Sequence, residues 1–228
     1  LKLLRHDSSN IIKVFKISYD VLSKEILSVM KQYVGFAELQ IEALGILHDF
    51  FSDKVEGTNL SGIATTAGCI EYIFAMLQKH EKNEDVVIQA LLTLYNIAYY
   101  EDNKIPMATA GGIKFAMELF LKPSLFKESK RNEILTYSLD LLFQLTCNNL
   151  ENKRLVAASQ TNLDIIVDTL RQSSDIKMIQ SGIAAISSIA SKHLGNMQKL
   201  VTNGGMEFCL RAMNRHTDNN EIQKFGCH

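Results

Sequence analysis

The residues best suited to metal or nucleophilic chemistry are six histidines (His6, His48, His80, His193, His216, His228) and four cysteines (Cys69, Cys147, Cys209, Cys227). A structural zinc ion takes four convergent ligands, usually supplied in close pairs such as CxxC or HxxxH. None of these spacings occurs. Cys209 and His216 lie seven residues apart, and Cys227-His228 stands alone, so neither makes a ligand set. The phosphate loop GxxxxGK[ST], the dinucleotide loop GxGxxG and the nucleophile elbow GxSxG are also absent. No catalytic residue, metal or cofactor is expected, and the chain reads as a non-enzyme. The cysteines sit on or beside apolar stretches, which favours buried, reduced thiols and a reducing compartment.

The 228 residues are 46% apolar, enough for a continuous core, and only two prolines and no tryptophan interrupt a helical pattern. A net charge of −1 argues against a general nucleic-acid binder. Charge is unevenly placed. Between Phe36 and Asp102 eleven acidic residues face three lysines, a net of −8, whereas Gly111 to His228 carries fourteen basic residues against eleven acidic, a net of +3. Such asymmetry bears on partners and steering, not on fold. No apolar run approaches the ~18 residues of a membrane span. The sequon Asn59-Leu60-Ser61 is short enough to recur by chance.

The elements are set out by a recurring patch. Asn59 to Ile70, containing Ala67-Gly68, returns at Asn103 to Ile113, containing Ala110-Gly111-Gly112. A weaker form spans Asn152 to Leu163, and the last spans Asn196 to Met206, ending Thr202-Asn203-Gly204-Gly205. Gly68, Gly111, Thr161 and Gly204 share one register, with steps of 43, 50 and 43 residues. A helical period of about 40–47 residues belongs to armadillo and HEAT solenoids. Gly68, Gly111, Gly112, Gly204 and Gly205 are therefore expected to form structural repeat junctions.

Each repeat is predicted to hold a short first helix within the patch, then an amphipathic second helix and a long apolar third helix. Second helices are expected at 70–77, 113–121, 163–170 and 206–213, with apolar residues at i, i+3, i+4 and i+7. Polar connectors such as Lys82-Asn83-Glu84-Asp85 and Ser173-Ser174-Asp175 supply N-caps for third helices near 36–51, 85–100, 132–147 and 176–192. A divergent first repeat would place helices at 11–17 and 21–33, with Tyr19 where glycine is expected. Lys122 to Arg131 reads as a projecting basic loop, with Leu125 and Phe126 either anchoring it or facing a partner. The chain lacks an initiating methionine and closes on what resembles the first turns of a helix, so both ends read as cut.

The pattern "Asn, short helix, Ala-Gly-Gly-Ile, amphipathic helix, polar turn, Ala-Leu-x-x-Leu-x-Asn-Ile-Ala" resembles armadillo-repeat proteins. It is cleanest from Asn59 to Leu121, where Ala90-Leu91-Leu92-Thr93-Leu94-Tyr95-Asn96-Ile97-Ala98 matches the third-helix form. The resemblance implies an all-α, right-handed superhelical armadillo/HEAT-like solenoid of about five three-helix repeats. Approximate repeats fall at 10–54, 59–102, 103–150, 152–194 and 196–228, forming a single solenoid over 1–228 with the last repeat incomplete. Third helices of such a solenoid line a concave groove that grips extended peptides or helices. Importin-alpha-like members clamp the peptide backbone with an asparagine ladder preceded by tryptophans. Here the ladder positions read Asp49, Asn96, Gln144 and Ser188, and the tryptophan positions read Gly45, Leu92, Asp140 and Ala184, which argues against nuclear-import cargo.

The candidate partner-binding groove is Glu42, Asp49, Gln89, Asn96, Tyr99, Tyr137, Asp140, Gln144, Ser181 and Ser188, polar or amphipathic residues expected on the exposed face of third helices. Tyr99, Tyr100 and Tyr137 are aromatics of the kind that anchor interfaces. The function implied is a non-catalytic, cytoplasmic scaffold or adaptor for proteins of basic or mixed charge. Small armadillo-repeats-only proteins of the apicomplexan rhoptry type tether organelles through an acylated N-terminus, and membrane attachment of this kind at the cytosolic face of an organelle is compatible with the sequence. The alternative is a regulatory module of a larger enzyme or signalling protein.

Overall fold

The computed structural model describes residues 19–52, 62, 64 and 68–227, and every regular element among them is helical. The chain divides into two compact units, Leu1–Gly111 and Gly112–His228.

In unit 1, α1 (Tyr19–Gln32), α2 (Ala37–Ser52), α3 (Cys69–Lys79), α4 (Glu84–Ala98) and α5 (Glu101–Thr109) surround a core that includes Met30, Leu44, Leu47, Ile73, Met76, Leu91 and Leu94. The third helices α2 and α4 pack along one another. Asn83 caps α4, its side chain accepting from Val86 N at 3.2 Å, as the polar connector predicts. Gln40 closes the turn between α1 and α2 by donating to Met30 O at 3.0 Å and Tyr33 O at 2.9 Å. Tyr72 from α3 then donates to the Gln40 carbonyl oxygen at 3.3 Å, so one buried amide ties three helices.

In unit 2, α6 (Gly112–Leu121) leads through a single 3₁₀ turn at Pro123–Leu125 into α7 (Glu128–Thr146). Then follow α8 (Leu150–Val156), α9 (Gln160–Gln172), α10 (Ile176–Ala190), α11 (Leu194–Thr202), α12 (Gly205–Arg215) and α13 (Asn220–Gly226). The third helices α7 and α10 pack side by side, and α13 continues against α10. Asp175 caps α10 by accepting from Lys177 N at 2.9 Å and Met178 N at 3.2 Å. Asn219 does the same for α13 through Ile222 N at 3.1 Å.

Three of the five candidate junction glycines have positive φ. Gly68 (φ +73°) and Gly204 (φ +74°) are left-handed N-caps of α3 and α12, and Gly111 has φ +103°. A side chain is strained at these angles, most of all when β-branched. Gly112 and Gly205 play a different part: each is the buried first residue of its helix. A Cβ at Gly205 would lie 3.2 Å from the Leu200 carbonyl oxygen and from Val167 Cγ2, so close helix approach selects glycine there. Thr161 needs no such angle, because α9 has begun at Gln160 behind an extended Ser159.

Two expectations are corrected. The 122–131 segment is no projecting loop: α7 begins at Glu128, four residues before its expected start, and takes up most of the extra length. Phe126 is buried and Arg131 closes the turn, with Nε donating to Pro123 O at 3.0 Å and Nη2 to Phe126 O at 3.3 Å. The extra residues thus lengthen a helix, whose backbone hydrogen bonds satisfy groups that a loop would leave to water. The second α9 boundary also moves, from 163–170 to Gln160–Gln172. The expected helix at 11–17, the start of the first glycine patch and the sequon fall outside the described residues.

Candidate partner-binding surfaces on the third helices

At its three described copies, Asn103, Asn152 and Asn196, the asparagine of the patch is a buried latch. Asn103 donates to Ile97 O at 3.0 Å, Asn152 to Leu145 O at 2.8 Å, and Asn196 to Ile189 O at 3.0 Å. In each case the amide reaches back across the turn to the carbonyl end of the preceding third helix, where helical partners run out. Asn196 also donates to Lys153 O at 3.0 Å, joining α11 to the first helix of the previous repeat. The latch orients α4, α7 and α10 relative to the first helix that follows each, and so sets where their side chains point.

Neighbouring third helices are joined by short polar side chains. In unit 1, Thr93 Oγ1 donates to Leu44 O at 3.0 Å and Asn96 Nδ2 donates to His48 O at 3.2 Å. In unit 2, Thr146 and Ser188 share a hydroxyl hydrogen bond at 2.8 Å, and Ser188 Oγ lies 3.5 Å from Phe143 O. Two positions expected on the exposed face are therefore inside. Gln144 and Ser188 are each only 8% exposed, because the side-by-side packing of α7 with its neighbours covers them. The ladder asparagine, Asn96, spends a donor on the adjacent helix instead of presenting both to solvent.

The remaining candidates are partly or fully exposed. Glu42 and Asp49 on α2, and Gln89 on α4, are half-buried in unit 1. Tyr99 caps the C-terminus of α4 at 52% exposure, its ring meeting Tyr100 edge to face at 5.7 Å. Asp49 Oδ1 lies 3.0 Å from His48 Nδ1. In unit 2, Tyr137, Asp140 and Ser181 are half-buried. Burial raises the pKa of Asp140, opposed by the Ser181 hydrogen bond. Burial, then the charges of Glu133 and Asp140, raise that of Tyr137.

Sequence reading missed two buried lysines beside the latch. Lys104 and Lys153 are each 3% exposed, and Lys153 Nζ donates to Ser191 O at 2.6 Å at the C-terminus of α10. Burial lowers the Lys153 pKa. The missed signal is the repeated Asn-Lys at 103–104 and 152–153. Among the described residues no group of three His, Cys, Asp or Glu is placed to hold a metal ion. No described helix is long and apolar enough to cross a membrane.

No protein-family model matches the sequence, and no curated protein matches it. Solved structures do. An engineered protein superposes with a TM-score of 0.74 at 20% identity, covering 90% of this chain and 76% of its own. A designed armadillo repeat protein in complex with the peptide (KR)4 gives 0.72 at 19% identity, over 89% and 78%. A second designed armadillo repeat protein gives 0.73 at 18% identity, over 89% and 78%. Nothing in these comparisons supports the rhoptry-type subfamily. What they share with this chain is the fold, an all-helical armadillo-type solenoid.

Proposed function

We propose that this protein is a non-catalytic scaffold that binds partner proteins along the exposed edges of its third helices. The observation that carries the reading is the side-by-side pairing of third helices in each unit, fixed by side-chain bonds such as Thr93 to Leu44 O. Polar and aromatic side chains are left partly exposed beside those bonds. A wall ordered before binding loses little conformational freedom when a peptide is laid on it. Glu42, Asp49 and the acidic balance of residues 36–102 favour a basic segment on unit 1. The armadillo neighbour solved with (KR)4 supports that chemistry. A cytoplasmic adaptor that tethers an organelle, motor or signalling complex belongs to the same reading.

The test is calorimetric titration with the octapeptide (KR)4. The double substitution Glu42→Lys, Asp49→Lys is expected to weaken binding roughly tenfold or more, about 1.4 kcal/mol, and to flatten its salt dependence. Unchanged affinity in that variant would remove unit 1 from the proposal.

A further inference from the structure

Unit 2 contains a cavity that the third-helix candidates do not line. Its volume is about 690 Å3, within the range of ligand-binding clefts. It opens between the C-terminal turn of α9, the start of α10 and the outer half of α12. Leu170, Ile179, Phe208 and Ala212 make an apolar floor, each less than one-tenth exposed. The rim is basic: Arg171, Arg211, Arg215 and His216 line it, and no carboxylate does.

The rim cations are only lightly engaged. Arg171 pairs with Asp168 at 3.1 Å, and Arg211 with Glu207 at 3.1 Å. Both pairs lie within one turn of a helix, and their carboxylates are 61% and 65% exposed, so water and salt screen them. Arg171 is further held by Asn203 O, to which Nη2 donates at 2.8 Å. Arg215 has no ion pair among the described residues. It follows Arg211 by four positions, so both guanidinium groups leave α12 on the same side. Three guanidinium groups over an apolar floor complement a carboxylate carried beside a large apolar side chain. A guanidinium binds carboxylate through two parallel N–H donors, and the floor adds burial that a bare inorganic anion cannot use.

We infer that this cavity is a second docking site, taking an acidic segment of a partner protein. An aliphatic or aromatic side chain sits on Leu170, Ile179 and Phe208 while flanking carboxylates meet Arg211 and Arg215. The charge preference is opposite to that proposed for unit 1, which lets one chain hold two unlike partners.

The probe is the hexapeptide Glu-Glu-Leu-Phe-Glu-Glu titrated into isotope-labelled protein and followed by amide chemical shifts. Shifts are expected at residues 170–173, 179 and 208–216, and binding should weaken at least tenfold in Arg215→Glu while largely surviving in Arg215→Lys. The glutamine counterpart, Gln-Gln-Leu-Phe-Gln-Gln, should bind at least tenfold more weakly. Lys114→Gln on α6 is exposed, lies outside the cavity lining and should bind as the unsubstituted protein does. Equal binding by Arg215→Glu, or shifts centred elsewhere, would overturn the assignment. So would inorganic phosphate moving the same amides at lower concentration than the peptide, since the floor would then play no part.

Discussion

Units 1 and 2 fasten their third helices by the same stratagem with different chemistry. In unit 1, Thr93 and Asn96 on α4 reach main-chain carbonyls of α2, at Leu44 and His48. Those acceptors do not titrate. In unit 2 the join is the hydroxyl pair of Thr146 and Ser188, and the half-buried carboxyl of Asp140 lies on the same helix, α7. That carboxyl titrates, and burial raises its pKa. The join of the first unit thus rests on groups that do not titrate, whereas α7 of the second carries a titrating carboxyl. The surfaces differ in the same way. Unit 1 presents Glu42 and Asp49, whereas unit 2 gathers Arg171, Arg211 and Arg215 around a cavity.

The comparison is most severely tested in the cores. Leu91→Ala in α4 and Ile183→Ala in α10 each remove a side chain with no exposed surface, and each should cost about 2–5 kcal/mol. Denaturant titration followed by circular dichroism reads the loss. Two separate transitions in one variant would show the units melting apart, and a single shared transition would show them coupled.

The asparagine latch and the Thr93 bond between third helices come next. Asn196→Ala leaves two carbonyls, of Lys153 and Ile189, without that donor, at about 1–3 kcal/mol for each group left unpaired. Thr93→Val in unit 1 keeps the shape and removes only the hydroxyl, so about 1 kcal/mol is expected. A Thr93→Val loss as large as that of Asn196→Ala would mean that the Thr93 bond between third helices matters as much as the two-carbonyl latch.

Asp140→Asn isolates that titrating carboxyl. Burial raises the folded-state pKa of Asp140, so its charge opposes folding at neutral pH, and protonation as pH falls through that pKa restores stability. The asparagine variant is thus expected to be modestly more stable at pH 7, with the difference shrinking as pH falls. Melting temperatures across pH 4 to 7 measure this. A difference that grows on acidification would mean that the Ser181 hydrogen bond to the carboxylate outweighs its burial.

The smallest effect on stability belongs to the thiols. Burial pushes Cys69 up to about 12 and Cys209 up to about 11, so both are protonated and shielded near pH 8. Cys227 is exposed and should react with a disulfide reagent first, while Cys69 and Cys209 wait for unfolding. Prompt reaction of Cys209 alone would mark unit 2 as the looser of the two.

Much of the fold was legible because it is written as period. The glycine register placed α3 and α12, and the polar connectors at Asn83 and Asp175 placed the starts of α4 and α10. These are local effects, fixed by backbone angle and by one side chain meeting an amide two or three residues away. The loop at 122–131 misled because its charges suggested exposure, whereas Arg131 turned inward onto two carbonyls. Gln144 and Ser188 misled for the converse reason: polarity suggested a surface, but helix packing buries both, and Ser188 finds a partner in Thr146 of the neighbouring helix.

The sequence by itself determined a helical repeat array with glycine junctions, an acidic early stretch and a basic later one. Those properties follow from residue type and spacing alone, which chain neighbours decide. Only the tertiary structure decided that the recurring asparagines are buried latches and that Lys153 closes the end of α10. It alone brought Arg171 to Arg211 and Arg215 over a shared apolar floor. Each of these depends on a partner group tens of residues away, or across a turn whose geometry no single residue sets. Packing settles such contacts, since a buried donor or acceptor takes whichever partner the neighbouring helix presents.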